Sequence, residues 1–221
     1  MERATALDIL TRPEKIQPQI SAFKYFYPER PRLLHIDQPL FRQLSDAPLW
    51  IAEPKYNGTR LQLHRLPSGE WQFWGRHGDP LAYTPSLEVK AALSSLYFLE
   101  GYWLFDGELR HGKTRGVMHR IALYDVFIAS GNLLVGIPFA ERRGTLEILW
   151  HYSELWDGFN LDLAPQYKED FRGNFNWLIQ NEEIEGLVLK NLNGLLDLGR
   201  NRANESGWMM KVRKPSGRWR F

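Results

Sequence analysis

The stretch WIAEPKYNGTRLQLHR, residues 50–65, joins the signals of two strands through a tight turn and places a lysine beside that turn. Lys55 stands just before the pair Asn57-Gly58, which is among the strongest short-range turn signals. Beyond the turn, apolar and polar residues alternate, as they do in a half-buried strand. A solvated lysine needs no such surroundings, so we expect Lys55 to lie at a strand-to-turn junction with its ammonium directed into a cleft.

Outside this stretch, periodicity and turn residues predict strands with helices between them. The predicted strands are RLQLHRL (60–66), WQFWGR (71–76), YWLFDGELR (102–110), IALYDVFIA (121–129), IEGLVLK (184–190) and GWMMKVRK (207–214). The predicted helices are QPLFRQLSD (38–46), PSLEVKAALSSLYFL (85–99), FAERRGTLEILW (139–150) and YKEDFRGNFNWLIQ (167–180). We therefore predict an α+β fold of mostly antiparallel sheets flanked by helices. Residues 1–49 are expected to pack as an irregular segment on a main domain formed by residues 50–221.

The composition excludes several kinds of chemistry. The chain has no cysteine, which rules out disulfides, thiolate metal sites and cysteine nucleophiles. Its 43% hydrophobic and 14% aromatic content is ample for a buried core. The amino terminus is interrupted by charge too early for a signal sequence, and no apolar run approaches the roughly 20 residues that span a bilayer. We expect a cytoplasmic protein without a membrane partner.

The net charge of +2 is unevenly distributed along the chain. Residues 200–221 contain seven basic residues against one acidic residue, whereas the rest of the chain is net negative. The basic residues are interleaved with Trp208, Trp219 and Phe221. Cations beside aromatic rings suit contacts to phosphates and bases, although a solvated terminus has the same composition.

Charged residues interrupt the apolar strands at several places. They are Lys55, DGEL (106–109), YDVF (124–127), EGLVLK (185–190) and KVRK (211–214). Burying a charge is costly unless it is paired or meets a ligand, so such positions mark candidate sites. Each alone has an ordinary structural explanation, such as an Asp-Gly turn or the exposed face of an edge strand. Their occurrence together, in one order, is harder to explain in that way.

This order of segments resembles a known set of motifs. KYNGTR, GRHG, FDGEL, YDVF, EGLVLK and WMMKVRK are similar, one by one, to motifs of the covalent nucleotidyltransferase superfamily, which comprises ATP-dependent DNA and RNA ligases and mRNA capping enzymes. The resemblance extends from Trp50 to Lys214. Polynucleotide ligases are the most similar, since GRHG (75–78) resembles their Ser-Arg-Asn-Gly segment and PFAERRGTLEIL (138–149) looks like the Arg-Arg helix of DNA ligases. The resemblance implies an adenylyltransferase domain with the ATP-grasp-like fold of DNA ligases over residues 50–221.

The resemblance implies that Lys55 attacks the α-phosphate of ATP, expels pyrophosphate and carries AMP as a phosphoramidate. The attack requires a neutral amine, which nearby cations and partial desolvation favour. Lys211 and Arg213 alternate on one face of a predicted strand. They are expected to supply those cations while binding the α-phosphate.

The resemblance also assigns residues to the rest of the nucleotide. Glu53 is expected to accept a hydrogen bond from the adenine amino group, and Tyr124 is expected to stack on the adenine. Arg60 and Arg76 match arginines of the ligase motifs and are expected to contact AMP or the 5′-phosphate end. Asn57 is counted with these nucleotide-binding residues because it forms the turn that presents the nucleophile.

Two carboxylates are candidates for binding a metal ion. Glu185 is expected to hold Mg²⁺, which prefers carboxylate oxygens and retained waters near phosphates. Glu108 is expected to contact the ribose hydroxyls or the same metal. Mn²⁺ is an alternative, because carboxylate sites accept both ions.

Two departures from the ligase pattern bear on the substrate. Asn57 occupies the position at which the commonest signature, Lys-x-Asp-Gly, has aspartate, and RNA ligases vary there. The sequence ends seven residues after Lys214, whereas DNA ligases and capping enzymes usually continue into an OB-fold domain whose last motif orients the pyrophosphate. We therefore expect no carboxyl-terminal OB-fold domain here, and such a domain is either dispensable, supplied by a partner protein or missing from a fragment.

These observations lead to the hypothesis of an ATP-dependent polynucleotide ligase core that forms lysine-AMP, transfers AMP to a 5′-phosphate and joins a 3′-hydroxyl. Nicked duplex DNA is the favoured substrate, because GRHG and AERRGTLE resemble DNA ligases more closely. RNA ligation is the alternative, and a capping guanylyltransferase fits the late motifs less well. A nucleic-acid-binding or nucleotide-sensing module without catalysis is the hypothesis from another class. The presence of Lys55, Glu108, Glu185 and Lys211 together argues against it.

Overall fold

Two β-sheets meet at the turn after Lys55 in the computed structural model of the 221-residue chain, which describes residues 25–96, 100–152, 160–199 and 205–215. The predicted strands are all present. The described residues form Tyr27–Pro28 (β1), Arg30–Leu33 (β2), Trp50–Tyr56 (β3), Thr59–Arg65 (β4), Trp71–Trp74 (β5), Trp103–Arg110 (β6), Arg120–Ala129 (β7), Asn132–Leu133 (β8), Leu161–Leu163 (β9), Ile184–Asn191 (β10), Leu198–Gly199 (β11) and Glu205–Arg213 (β12).

The sheets are mostly antiparallel, as predicted. The first sheet has the order β2-β12-β10-β3, and the second has the order β5-β4-β6-β7-β8, with β9 beside β7. Only the pairs β2–β12 and β7–β9 run parallel among the strands of these two sheets that the structure describes. Because β3 belongs to the first sheet and β4 to the second, the turn at Asn57-Gly58 is the point where the chain passes between them.

Helices pack on both sheets. Within the described ranges they are Pro39–Ser45 (α1), Leu87–Ser95 (α2), Phe139–His151 (α3) and Phe171–Leu178 (α4). The start of α2 is capped by Ser86, whose hydroxyl accepts from the Val89 amide at 3.3 Å. No helix in the part of the chain that the structure describes is long and apolar enough to cross a membrane.

The α4 helix is shorter than predicted, because the prediction began it at Tyr167. Tyr167 instead forms a β-bridge with Ala52 of β3. Asp170 then adopts a positive φ of 47°, and its carboxylate accepts from the Gly173 amide at 3.0 Å. A residue in this left-handed conformation cannot continue a helix, so the helix starts only after Asp170. The predicted end of α2 at residues 97–99 lies outside the described residues, as do Arg200, Arg202, Arg218, Trp219, Arg220 and Phe221 of the basic end.

The core consists of two apolar clusters, one for each sheet. In the second sheet, α2 and α3 pack through Val89, Leu93 and Leu146. In the first sheet, Phe41 of α1 and Phe171 of α4 pack against the strands. Burying each large apolar side chain stabilises the fold by roughly 1.5–3 kcal/mol. The helices therefore pack against the two sheets and leave the space between the sheets open for a site.

A polar pair inside the second sheet makes stability depend on pH. His64 of β4 is 0% exposed and its Nδ1 hydrogen-bonds the Tyr102 hydroxyl. Burial lowers the pKa of His64 from 6.5 to about 3, because the charged imidazolium is poorly solvated there. The folded protein therefore holds a neutral imidazole at a pH where the unfolded chain is already protonated.

Acidification is expected to destabilise the fold through His64. The folded-state pKa is depressed, so its contribution is present above about pH 6.5 and is lost as the pH falls toward 3. Between pH 6.5 and pH 5 the loss amounts to about 2 kcal/mol. Urea unfolding at pH 7 and pH 5 measures it, with His64→Gln as the non-titrating comparison. Equal losses for the parent and the variant would contradict the assignment to His64.

Candidate active site

A cleft of about 430 Å³ lies between the two sheets and receives side chains from both. Eight of the ten residues predicted for the site line it: Glu53, Lys55, Arg60, Arg76, Glu108, Tyr124, Lys211 and Arg213. The other two do not line the cleft: Asn57 contacts Thr114, and Glu185 contacts Lys55. The site residues are thus brought together, and the roles assigned to them stay predictions.

The turn that carries the nucleophile candidate is held from several directions. The Asn57 amide donates to the Glu183 carbonyl at 2.7 Å, and the Asn57 side chain donates to the Thr114 hydroxyl at 3.2 Å. Lys113 donates to the Gly58 carbonyl. A Cβ on Gly58 would lie 2.5 Å from Cγ of Glu108, so only glycine fits this close approach. The side-chain amide of Asn57 thus donates to Thr114 and stabilises the turn.

Lys55 lies at the end of β3 with its side chain 19% exposed. Its Nζ donates to Oε2 of Glu185, which also lies 3.7 Å from Nη2 of Arg213. Lys211 and Arg213, which were expected as cationic neighbours, line the same cleft. Lys55 thus has one anionic contact within a basic surrounding.

Lys211 is part of this basic surrounding. Burial, followed by the charges of Arg213 and Lys55, lowers the pKa of Lys211 below its ordinary value. No ion pair or hydrogen bond of the Lys211 side chain is formed with another described residue. An uncompensated cation in a cleft is suited to binding an anionic ligand.

Glu53 closes the buried end of the cleft and is only 1% exposed. Its Oε1 accepts from Nε2 of Gln166 at 2.9 Å and lies 3.8 Å from Nη1 of Arg143. Its Oε2 lies 2.6 Å from Nζ of Lys190. Glu53 is expected to accept from an adenine; in the structure Gln166 donates to its Oε1, and the Lys190 ammonium forms an ion pair with its Oε2.

Glu53 is held by Gln166, Arg143 and Lys190, for which no role was predicted from sequence. Lys190 ends the EGLVLK motif, and its ammonium lies 5.4 Å from the ring centroid of Tyr124. Arg143 belongs to the segment similar to the Arg-Arg helix of DNA ligases. Gln166 lies in a loop with no motif. Lys190 and Arg143 lie within motifs that resemble those of ligases, whereas nothing in the sequence indicated Gln166.

Arg60 and Glu108 face each other across β4 and β6, where they are paired in register. Arg60 is expected to contact AMP or a 5′-phosphate, and in the structure its Nε and Nη2 donate to Oδ1 and Oδ2 of Asp106. Burial raises the pKa of Glu108 to about 7, against the opposing charges of Arg60 and Lys55. The described residues donate no hydrogen bond to the Glu108 carboxylate, so its oxygens are available for a ligand.

The outer part of the cleft is more exposed. Arg76 is exposed in the turn after β5 and lines the mouth together with His77. The Tyr27 hydroxyl donates to the His77 carbonyl at 3.4 Å, which connects the first described residues to this turn. The mouth is therefore shaped by both the predicted hairpin motif and the segment that precedes the first sheet.

The chain is similar to known proteins in three-dimensional structure and not in sequence. No family model matches the chain, and no curated protein is significantly similar to it in sequence. The ligase domain of LigD from M. tuberculosis superposes with a TM-score of 0.59 at 17% identity, covering 86% of this chain and 61% of that chain. A mycobacterial DNA ligase D complexed with ATP and MES gives a TM-score of 0.56 at 15% identity, covering 86% and 62%. The ATP-dependent DNA ligase of bacteriophage T7, in complex with ATP, gives 0.54 at 17% identity, covering 85% and 68%.

The chain has the fold of the nucleotidyltransferase domain of ATP-dependent DNA ligases. The fold that the motifs implied is thereby confirmed. The chain spans less than two thirds of the two ligase D chains, 62% and 61% of their lengths.

Two carboxylates of the cleft region, Glu108 and Glu185, are the candidates for holding a metal ion. The described ranges contain no group of three or more histidine, cysteine, aspartate or glutamate side chains that could hold one. Mg²⁺ usually keeps several waters and uses one or two carboxylates together with substrate phosphates. Glu108 and Glu185 supply hard oxygen donors on either side of Lys55. The residues therefore fit Mg²⁺ bound jointly with a nucleotide.

Proposed function

We propose that this chain is the core of an ATP-dependent polynucleotide ligase that seals 5′-phosphate/3′-hydroxyl nicks through a lysine-AMP intermediate, with duplex DNA as its substrate. The observation that carries this proposal is the convergence of Lys55, Lys211 and Arg213 in a cleft whose inner end holds Glu53 and Tyr124. Cations at one end suit phosphates, and an aromatic ring beside polar groups at the other suits a base.

In the first step, Nζ of Lys55 forms a bond to the α-phosphorus while the bond to the pyrophosphate oxygen breaks. The leaving pyrophosphate takes the electron pair, and the proton that the attacking neutral amine loses passes to solvent. Lys211 and Arg213 stabilise the charge on the phosphate oxygens, since guanidinium and ammonium groups bind phosphate through charge-assisted hydrogen bonds. Glu185 orients Nζ by direct contact.

Glu185 and Glu108 are the residues that would hold Mg²⁺. Mg²⁺, when bound, neutralises phosphate charge. Glu185 also contacts Nζ of Lys55. Glu185 thus connects metal binding with the position of the amine.

The two later steps need contact with a nucleic acid. Arg76 at the cleft mouth and the basic strand β12 are placed to bind its backbone. Phosphate contacts of this kind weaken as salt rises, because binding releases counterions. The DNA ligase neighbours in structure support DNA as the substrate.

A sealing assay tests this proposal. The chain is incubated with ATP and Mg²⁺ on nicked duplex DNA and on the same nick in RNA, at several salt concentrations. We expect sealing of DNA that declines with salt. Sealing of RNA alone would overturn the DNA substrate, and the AMP adduct without sealing would show that the chain needs a partner, such as one supplying an OB-fold domain.

The class of the protein is decided in the same experiment. Labelling by GTP in place of ATP would favour a capping enzyme. Binding of nucleic acid with neither adduct nor sealing would favour the module without catalysis.

A further inference from the structure

The segment of residues 27–33 lies along the outer part of the cleft. Pro28, Glu29, Arg30 and Pro31 line the cleft. The β2 strand within this segment runs parallel to β12, and Leu33 lies opposite Lys211 in the register. The segment is thus fixed beside the strand that carries the two phosphate-binding candidates.

Arg30 adds a further cation to this side of the cleft. The charge of Arg30 contributes to the lowered pKa of Lys211, after burial, Arg213 and Lys55, whereas Glu205 opposes the shift. The guanidinium of Arg30 has no ion pair with another described residue. The nearby Glu29 is engaged with the indole nitrogen of Trp208 at 2.7 Å. The cations on this wall therefore outnumber the carboxylates that compensate them.

These cations differ in exposure. The Lys55 side chain is 19% exposed, and the Arg213 side chain is 54% exposed. Arg30 is exposed as well and lines the cleft. A triphosphate whose α-phosphorus meets Lys55 extends outward, since the inner end is closed by Glu53. Its β- and γ-phosphates then lie on the side of Arg213 and Arg30.

We propose that Arg30 binds the β- and γ-phosphates of ATP and stabilises the leaving pyrophosphate, an inference that rests on the proposed function. When the α-phosphorus gains its bond to Lys55, negative charge develops on the pyrophosphate oxygen. A guanidinium presents paired donors to such oxygens and stays charged at any pH of interest. The family resemblance assigns this task to an OB-fold domain, whereas Arg30 supplies a cation for it from the first 49 residues.

The experiment compares Arg30→Ala with Arg32→Ala, which removes an exposed arginine of the same strand that does not line the cleft. Three rates are measured: lysine-AMP formation from ATP, its reversal by pyrophosphate, and sealing of a nick that already carries AMP on its 5′-phosphate. Arg30→Ala is expected to slow the first two about tenfold and to raise the KM for pyrophosphate, because charge stabilisation is lost. The third, which involves no pyrophosphate, is expected to be unchanged.

Arg30→Lys is expected to recover part of the loss, and Arg32→Ala is expected to behave as the parent does. Equal rates for Arg30→Ala and the parent would overturn the inference. An equal loss on the pre-adenylylated nick would overturn it as well, since Arg30 would then act on the nucleic acid or the fold.

Direct binding of pyrophosphate separates this inference from the proposed function. Calorimetry with pyrophosphate is expected to show about tenfold weaker binding by Arg30→Ala than by the parent. Arg30-dependent binding in a chain that forms no adduct would refute the proposed ligase and leave the pyrophosphate site standing. Adduct formation with pyrophosphate binding that does not depend on Arg30 would refute the site alone.

Discussion

Replacing Lys55 by alanine is expected to abolish the transfer of AMP to the protein, with at least about a thousandfold loss of sealing. The amine of Lys55 is the only group in the proposed first step that forms the bond to phosphorus, and its neighbours cannot substitute for it without moving. Intact mass after incubation with ATP and Mg²⁺ measures the adduct. The parent is expected to gain the mass of one AMP, and Lys55→Ala is expected to gain none.

Two further variants separate nucleophilicity from charge. Lys55→Arg keeps a cation beside Glu185 but offers no nucleophilic amine, so it is expected to be as inactive as alanine. Lys168→Ala removes an exposed lysine outside the cleft and is expected to retain full labelling. An adduct on Lys55→Ala, mapped to another lysine such as Lys211, would contradict the assignment. No adduct on the parent, with ATP or with GTP, would contradict the proposed first step itself.

The part of the site that could be predicted from sequence is local. The turn at Asn57-Gly58 follows from the conformational preferences of two adjacent residues. The alternation in β4 predicts which side chains share a face, although Leu61, Gln62, Leu63 and His64 are all buried in the structure. Lys211 and Arg213 share a strand face for the same reason. Motif resemblance then supplied the order of the segments, so eight of the residues that line the cleft could be named in advance.

The partners that hold these residues could not be predicted, because they are distant in sequence. Glu53 is held by Arg143, Gln166 and Lys190, which come from three separate parts of the chain. Arg60 donates to Asp106, a pairing that the sequence did not indicate. No periodicity encodes such pairings, since they depend on how the two sheets face each other.

The strand β2 of the first sheet could not be predicted from sequence either, for a physical reason. The strand Arg30–Leu33 is an edge strand with mostly exposed side chains, so it lacks the apolar alternation by which strands are recognised. Its parallel pairing with Glu205–Arg213 joins the two ends of the described chain. Local sequence carries little information about a contact of that range, although Arg30 reaches the cleft because of it.

Replacing Asp125 by alanine is expected to destabilise the fold by about 3–5 kcal/mol. Asp125 of the YDVF segment accepts from Nε and Nη2 of Arg142 at 2.9 and 2.7 Å. Arg142 is 0% exposed, and it also donates to the carbonyls of Ile137 and Gly194. Without Asp125 this guanidinium is left buried without a counter-charge. Urea unfolding at constant pH measures the loss.

The loss of stability is expected to depend on the burial of the ion pair, so an exposed ion pair serves as the comparison. Arg172 and Asp37 lie 3.3 Å apart but are largely exposed, so Arg172→Ala is expected to cost at most about 1 kcal/mol. Replacing both members of the buried pair, Arg142→Leu with Asp125→Ala, is expected to cost less than Asp125→Ala alone, because no orphaned charge remains. A single variant within about 1 kcal/mol of the parent would mean that water or rearrangement solvates Arg142. Asp125 also lines the cleft, so its ion pair with Arg142 attaches α3 to the cleft wall. Arg143, the next residue of α3, is thereby held beside Glu53.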